Sequence, residues 1–276
     1  MTSLDDSGPG TLRQAIHDVC ESATIALGPD LTGGTIALAA PLVLTRSVTI
    51  DGTGPEEPVT LSGEGAHRVL EVPGGTSATV RGVTISQGYT VTDGGAVQNL
   101  GALLLERCTL RGNEALGGGG ALWNNGLLVI QDSALVENEA GGDGGALLNV
   151  TMSAVVNSTL ALNSAQGNGG GLSNAVGGLV GMVHNTLAGN SAGSSGAGVH
   201  NLGTLDMANT ILAGRPASDA CANNGTLITD EGNLVEDVSC GTGLAVDPLL
   251  GLLGNHGGST ETYALLPGSP AINAAE

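Results

Sequence analysis

The chain contains no phenylalanine and no lysine, and its aromatics amount to one tryptophan and two tyrosines in 276 residues. The shortage of rings excludes a core of the ordinary globular kind, which uses them as bulk filler. Apolar residues still make up 41% of the chain. A core of valine, leucine, isoleucine and alanine suits a narrow, regular interior in which every layer has the same width. With no lysine, all seven basic residues are arginine, against 26 acidic ones, and the net charge is −19. Nothing here neutralises a run of phosphates, which excludes a nucleic-acid partner. An anionic membrane surface is disfavoured for the same reason. No apolar run is long enough to span a bilayer, so no membrane insertion is expected. Met1 runs directly into Thr2-Ser3-Leu4-Asp5-Asp6 with no signal sequence ahead of it, and removal of a leader is the expectation. The acidity suits an exported protein that stays dispersed, at the cell surface or beyond it.

Zinc spacing is also missing from the four cysteines, Cys20, Cys108, Cys221 and Cys240. Cys221 and Cys240 lie in irregular sequence near the C-terminal end and form a candidate disulfide, stapling a loop in an oxidising compartment. Cys20 and Cys108 sit in apolar patterns and are expected to be buried thiols.

Glycine is abundant, at 48 residues. There is no collagen period, and the apolar content is too high for a disordered linker. Many tight turns between short strands remain. Self-comparison supports this. Gly94-Gly95-Ala96-Val97-Gln98-Asn99 returns as Gly119-Gly120-Ala121-Leu122-Trp123-Asn124 and as Gly144-Gly145-Ala146-Leu147-Leu148-Asn149. Gly169-Gly170-Gly171-Leu172-Ser173-Asn174 and Gly196-Ala197-Gly198-Val199-His200-Asn201 follow. The closing asparagines, Asn99, Asn124, Asn149, Asn174 and Asn201, step by 25, 25, 25 and 27. A second column, Asn113, Asn138, Asn163 and Asn190, keeps the same phase. An apolar column, Leu110, Leu135, Leu160 and Leu187, precedes it, with Ile211 as its expected fifth member.

Helices at this glycine density would lose roughly 1 kcal/mol per glycine. The apolar residues also alternate, as in Leu103 and Leu105, which is the strand period. The sequence therefore reads as all-β, a right-handed parallel β-helix with three short strands in each coil of about 25 residues. Residue i stacks on the equivalent residue of the next coil at about 4.8 Å. Both asparagine columns are read as structural ladders, and their tolerance of left-handed backbone suits sharp bends. The whole chain, 1–276, forms one domain. Residues 11–20 make an N-terminal capping helix, 35–214 the coils, and 215–276 irregular C-terminal coils and a tail. The cap covers an edge that would otherwise invite aggregation.

The segments Asp6-Ser7-Gly8-Pro9-Gly10-Thr11-Leu12-Arg13-Gln14-Ala15-Ile16, the Gly-Gly-Ala-Leu-x-Asn repeats, Asn255-His256-Gly257-Gly258-Ser259-Thr260 and Leu266-Pro267-Gly268-Ser269-Pro270-Ala271-Ile272 carry a resemblance. The chain resembles bacterial exported β-helix proteins of the polymorphic outer-membrane-protein-like and choice-of-anchor class. The resemblance implies secretion or surface display, often with a sorting tail. No such tail follows Glu276, and a trimmed region of a longer product is expected. It brings no shared activity and no catalytic motif.

Chemistry has few footholds. Lyase-like sites need clustered carboxylates with an arginine or lysine base, and only Arg107 and Arg111 fall in the regular coils. Glu106 and Asp132 fall close to one column, and Glu114 and Glu139 share one. With Asp143, in Gly141-Gly142-Asp143-Gly144-Gly145, Glu114 and Glu139 are the candidates for a metal, Ca²⁺ being the fitting ion. The blander reading makes them solvated bend residues. No other cofactor is indicated. His184, His200 and His256 are scattered, and His67-Arg68 reads as a turn. The column Thr109, Ala134, Thr159, Thr186, Thr210 is too interrupted for an ice-matching face. Leu104, Val129 and Ala154 form an outward apolar stripe, expected to be covered by the C-terminal tail or, failing that, by a second copy. The sequence reads as an exported, non-enzymatic solenoid with a surface, adhesive or filament-forming role. Its partner would be itself or an extracellular glycan. The alternative is a carbohydrate-active enzyme or glycan-binding module.

Overall fold

A computed structural model describes residues 1–214, 219–237, 239–240, 244–272 and 274, with backbone alone at 229–231 and 244. Arg215 and Glu276, the ends of the irregular C-terminal part, lie outside the described residues. The chain is a parallel β-solenoid. A first sheet stacks nine strands, from Ala23–Ala26 to Thr226–Glu231, and a second stacks ten, from Thr35–Ala37 to Leu244–Ala245. A third stacks eight, from Leu42–Val43 to Cys221–Asn223. The central coils add a short fourth strand, giving a five-stranded sheet from Tyr89–Thr90 to Ser191–Ala192.

The register makes the period physical. Leu110, Leu135, Leu160 and Leu187 are successive partners, all fully buried. The fifth member is Leu212 and not Ile211, because the step of 25 continues from Leu187. Ile211 instead follows Thr186 on the outer side of the sheet, so the threonine column ends there, and Thr210 points inward at 0% exposure.

Both asparagine columns are buried ladders. Side-chain amides link Asn99, Asn124, Asn149, Asn174 and Asn201 at 2.7 to 2.9 Å, and the chain of bonds runs on to Asn223. In the second column Asn113, Asn138, Asn163 and Asn190 are joined at 2.9 Å. Each also reaches a backbone carbonyl of the preceding coil, as Asn138 Nδ2 does with Leu110 O at 3.0 Å. The glycine pair ahead of the first ladder is dictated by backbone. Gly144 has φ +74°, and a Cβ on Gly145 would overlap the carbonyl of Gly170 in the next coil.

The N-terminal helix spans Leu12–Asp18, shorter than the pattern suggested, with Thr11 as N-cap accepting from Gln14 N. Leu12 and Ile16 press into the solenoid core. Cys20 lies beyond the helix end and is exposed, not buried as expected, whereas Cys108 is buried. Cys221 and Cys240 form a disulfide with Cα atoms 5.2 Å apart.

The C-terminal segment forms an antiparallel hairpin, Leu250–Gly254 with Thr262–Leu265. It does not cover the Leu104 stripe. Leu253 and Tyr263 pack on the outer side of the second sheet, against Ala134, Val136 and Ala161. Small residues there leave room for the hairpin, and Arg111 holds it through Glu261. Among the described residues the outer face of the first sheet therefore stays open, with Leu127 55%, Val129 37% and Met152 50% exposed.

Candidate functional site: a groove along one bend of the solenoid

The corner between the first and second sheets is turned by one left-handed residue per coil. Arg107, Asp132, Asn157, His184 and Asn209 occupy it at φ +46° to +59°, flanked by Gly82 and Gly232 at +66° and +65°. A left-handed residue reverses the chain without a loop, which lets one strand run directly into the next. The following residue points inward. Its side chain caps a backbone amide of the coil before, in a third ladder: Cys108 N to Ser133 Oγ at 3.1 Å, Ser133 N to Ser158 Oγ at 3.1 Å, Ser158 N to Asn185 Oδ1 at 3.0 Å. Thr210 and Asn233 complete it. The bend residue itself faces solvent, so packing does not limit its chemistry.

The bend row therefore collects polar groups that sequence comparison does not align by type. Asn157 Nδ2 donates to Asp132 Oδ1 at 2.7 Å, from one coil to the one before. Arg107 is exposed and pairs with Glu106 at 3.2 Å. His184 is exposed at the far end. The hairpin turn supplies an opposite wall. Thr260 Oγ1 donates to Asp132 O at 3.3 Å, and Thr159 and Thr262 share a hydroxyl bond at 3.2 Å. Between turn and bend lies a hollow of about 320 Å³ lined by Arg107, Asp132, Asn157, His184, Thr186 and Ser259. A second hollow of about 370 Å³, edged by Thr53, Glu56 and Glu57, shares Arg107 and Ser259 with it. The two hollows follow one another along the row of bends, with Arg107 and Ser259 in the lining of both.

The other candidates are distributed differently. Glu114 and Glu139 are direct partners in the fourth sheet and both are exposed. Asp143 does not join them. Its Oδ1 accepts from Asn168 N at 2.7 Å, capping the next coil as Asp93 does for Gly118 N at 2.6 Å. Among the described residues no three histidine, cysteine or acidic side chains converge on a metal position. Glu106 pairs with Gln131, which puts Asp132 one residue further on, at the bend, and separates the two carboxylates. His200 is buried beside Ser173, its Nδ1 3.4 Å from Ser173 Oγ, and burial pushes its pKa below the ordinary value. Arg68 is a buried clamp. It donates to Gly94 O at 2.9 Å, Asp93 O at 2.8 Å and Glu71 at 2.6 Å.

In the sequence Asp132 reads as falling close to the column of Glu106, and His184 as a scattered histidine. Their signal was position: each stands one place ahead of the inward column Cys108, Ser133, Ser158, Asn185. That column carries no repeat signal because serine, asparagine and threonine substitute for one another in capping an amide.

No protein-family model matches the chain, and neither a curated protein nor a solved structure does.

Proposed function

We propose that this chain is an exported, non-enzymatic β-solenoid that works by presenting surfaces, in an adhesive or structural role. One observation carries the reading: the conspicuous repeat is consumed by folding. The asparagine ladders are at most 1% exposed from Asn99 to Asn201 and from Asn113 to Asn190. What varies from coil to coil lies outside, along a stack in which every coil adds its own outward residues to each face. Such a scaffold multiplies contact sites along its length, the geometry repeat proteins use for extended recognition. The disulfide between Cys221 and Cys240 supports export, since an oxidising compartment keeps it formed. The resemblance to exported polymorphic outer-membrane-protein-like and choice-of-anchor proteins points the same way.

A glycan-directed role is the second reading. The polar groove beside the hairpin turn favours it over self-association, which would use the open apolar face of the first sheet. The test combines electron microscopy of the purified chain with measurement of its binding to cells and immobilised glycans. Filaments, or saturable binding, are expected. Dispersed monomers that bind neither would overturn the proposal.

A further inference from the structure

We infer that the bend groove binds an extended, uncharged oligosaccharide, laid along the stacking axis from Gly82 toward His184. The inference rests on the adhesive reading above and specifies what is recognised.

Shape comes first. Successive bend residues are one strand spacing apart, about 4.8 Å, so the row from Gly82 to His184 runs about 19 Å. The two hollows have Arg107 and Ser259 in common and lie one after the other along this row. A groove of this form takes a linear occupant. Its repeat, one polar side chain per coil from Arg107 to His184, is close to the length of one hexopyranose ring in an extended chain.

Chemistry narrows the class. Arg107 offers only donors, and Asp132 only acceptors. Asn157, His184, Thr186 and Ser259 offer both. A polyol presents donor and acceptor at every ring, so each rung finds a partner. The bond from Asn157 to Asp132 at 2.7 Å holds both groups in place before binding, which reduces the ordering cost. An extended peptide would seek a strand edge. Here the backbone groups of the coils are already bonded to the coils above and below, as Asn157 N is to Val183 O at 2.9 Å. A polyanion is disfavoured as well. The positive charge of Arg107 is met by Glu106, Glu56 and Glu57 edge the groove, and the chain carries −19 overall.

The hairpin acquires a purpose in this arrangement. Its docking on Ala134, Val136 and Ala161 positions Gly258 and Ser259 opposite the bend row, and without it the row would lie on a convex corner.

The probes are cellohexaose, chitohexaose, β-1,4-mannohexaose and hexagalacturonate, titrated calorimetrically into the whole chain. At least one neutral hexasaccharide is expected to bind more tightly than hexagalacturonate. Asn157→Ala and His184→Ala should each weaken it tenfold or more. Both side chains are exposed, so the variants are expected to fold, as their circular dichroism and melting checks. Leu179→Ser, on the open face of the first sheet, should leave affinity unchanged. Three results would overturn the inference: no neutral probe binding at millimolar concentration, preference for hexagalacturonate, or binding indifferent to the groove variants. Reducing ends are counted in the same samples over a day. Their release with groove binding intact would sink the non-enzymatic reading and spare the site. Absent binding would sink the site and leave the scaffold reading standing.

Discussion

Asn124 donates its side-chain amide to Asn149 Oδ1 at 2.8 Å, across one coil, and both side chains are fully buried. Asn149 passes the pattern on to Asn174 at 2.9 Å. Truncating a middle member therefore strands polar groups in both directions. Asn149→Ala should cost about 3 kcal/mol, as expected for buried partners left unpaired. Asn99→Ala, at the start of the column, loses only one ladder bond and should cost less. Denaturant midpoints compare the two, and equal costs would argue that the column does not act as a ladder.

Arg68 should behave as a clamp and not as a turn residue. It bonds two carbonyls of the next coil and Glu71 together. Arg68→Met leaves the carboxylate and both carbonyls behind, at about 3 kcal/mol. Arg68→Lys should recover less than half of this, because an ammonium lacks the planar fork. Full rescue by lysine would mean that charge alone matters.

The two free thiols should differ sharply. Burial raises the Cys108 thiol to about 11, while Cys20 is exposed. A thiol-reactive disulfide reagent at pH 8 should modify one thiol of the native chain, at Cys20, and a second only on unfolding. Rapid reaction of two native thiols would contradict the buried placement of Cys108.

Acid should weaken the fold in two separable steps. Burial holds His200 below its ordinary 6.5, so the unfolded chain takes up that proton first. Stability is complete above pH 6.5 and falls as pH drops through the window beneath it. The Arg81 guanidinium holds Asp51 down at about 2, from an ordinary 3.8. Its contribution is present above about pH 4 and is lost on the way to pH 2. This partly exposed pair should be worth about 1 kcal/mol or less. Chemical denaturation across pH should show His200→Gln flattening the upper step and Asp51→Asn the lower. Unchanged profiles in both variants would refute the assignment.

The architecture was legible because its rules are periodic. Asn99 to Asn201 and Asn113 to Asn190 can be read by eye, since only one residue type bridges coil to coil on both sides. Leu212 was harder. The column steps by 25, 25, 27 and 25 residues, and Ile211 is as apolar as its neighbour. The fourth sheet was invisible, because two-residue strands such as Glu114–Ala115 carry no alternation. The hairpin's position is not legible in the sequence, because nothing in Leu253 or Tyr263 tells which face offers room. That is decided by Ala134 and Ala161, more than 90 residues earlier. The groove was hidden for the opposite reason. Arg107, Asp132, Asn157 and His184 share a backbone conformation and no chemistry, so self-comparison passes over them.

The central claim is that the buried columns are scaffold and the bend row is free surface. The most direct measurement is the denaturant midpoint of two variants with the same substitution, Asn138→Ala and Asn157→Ala. Asn138 is buried and bonds Asn163 Oδ1 and Leu110 O. Asn157 is exposed, and among the described residues its side chain bonds only that of Asp132. The account predicts a loss of about 3 kcal/mol for the first and about 1 kcal/mol or less for the second, where alanine gives up one exposed bond and sits less easily than asparagine at φ +46°. Similar losses at both positions would contradict it.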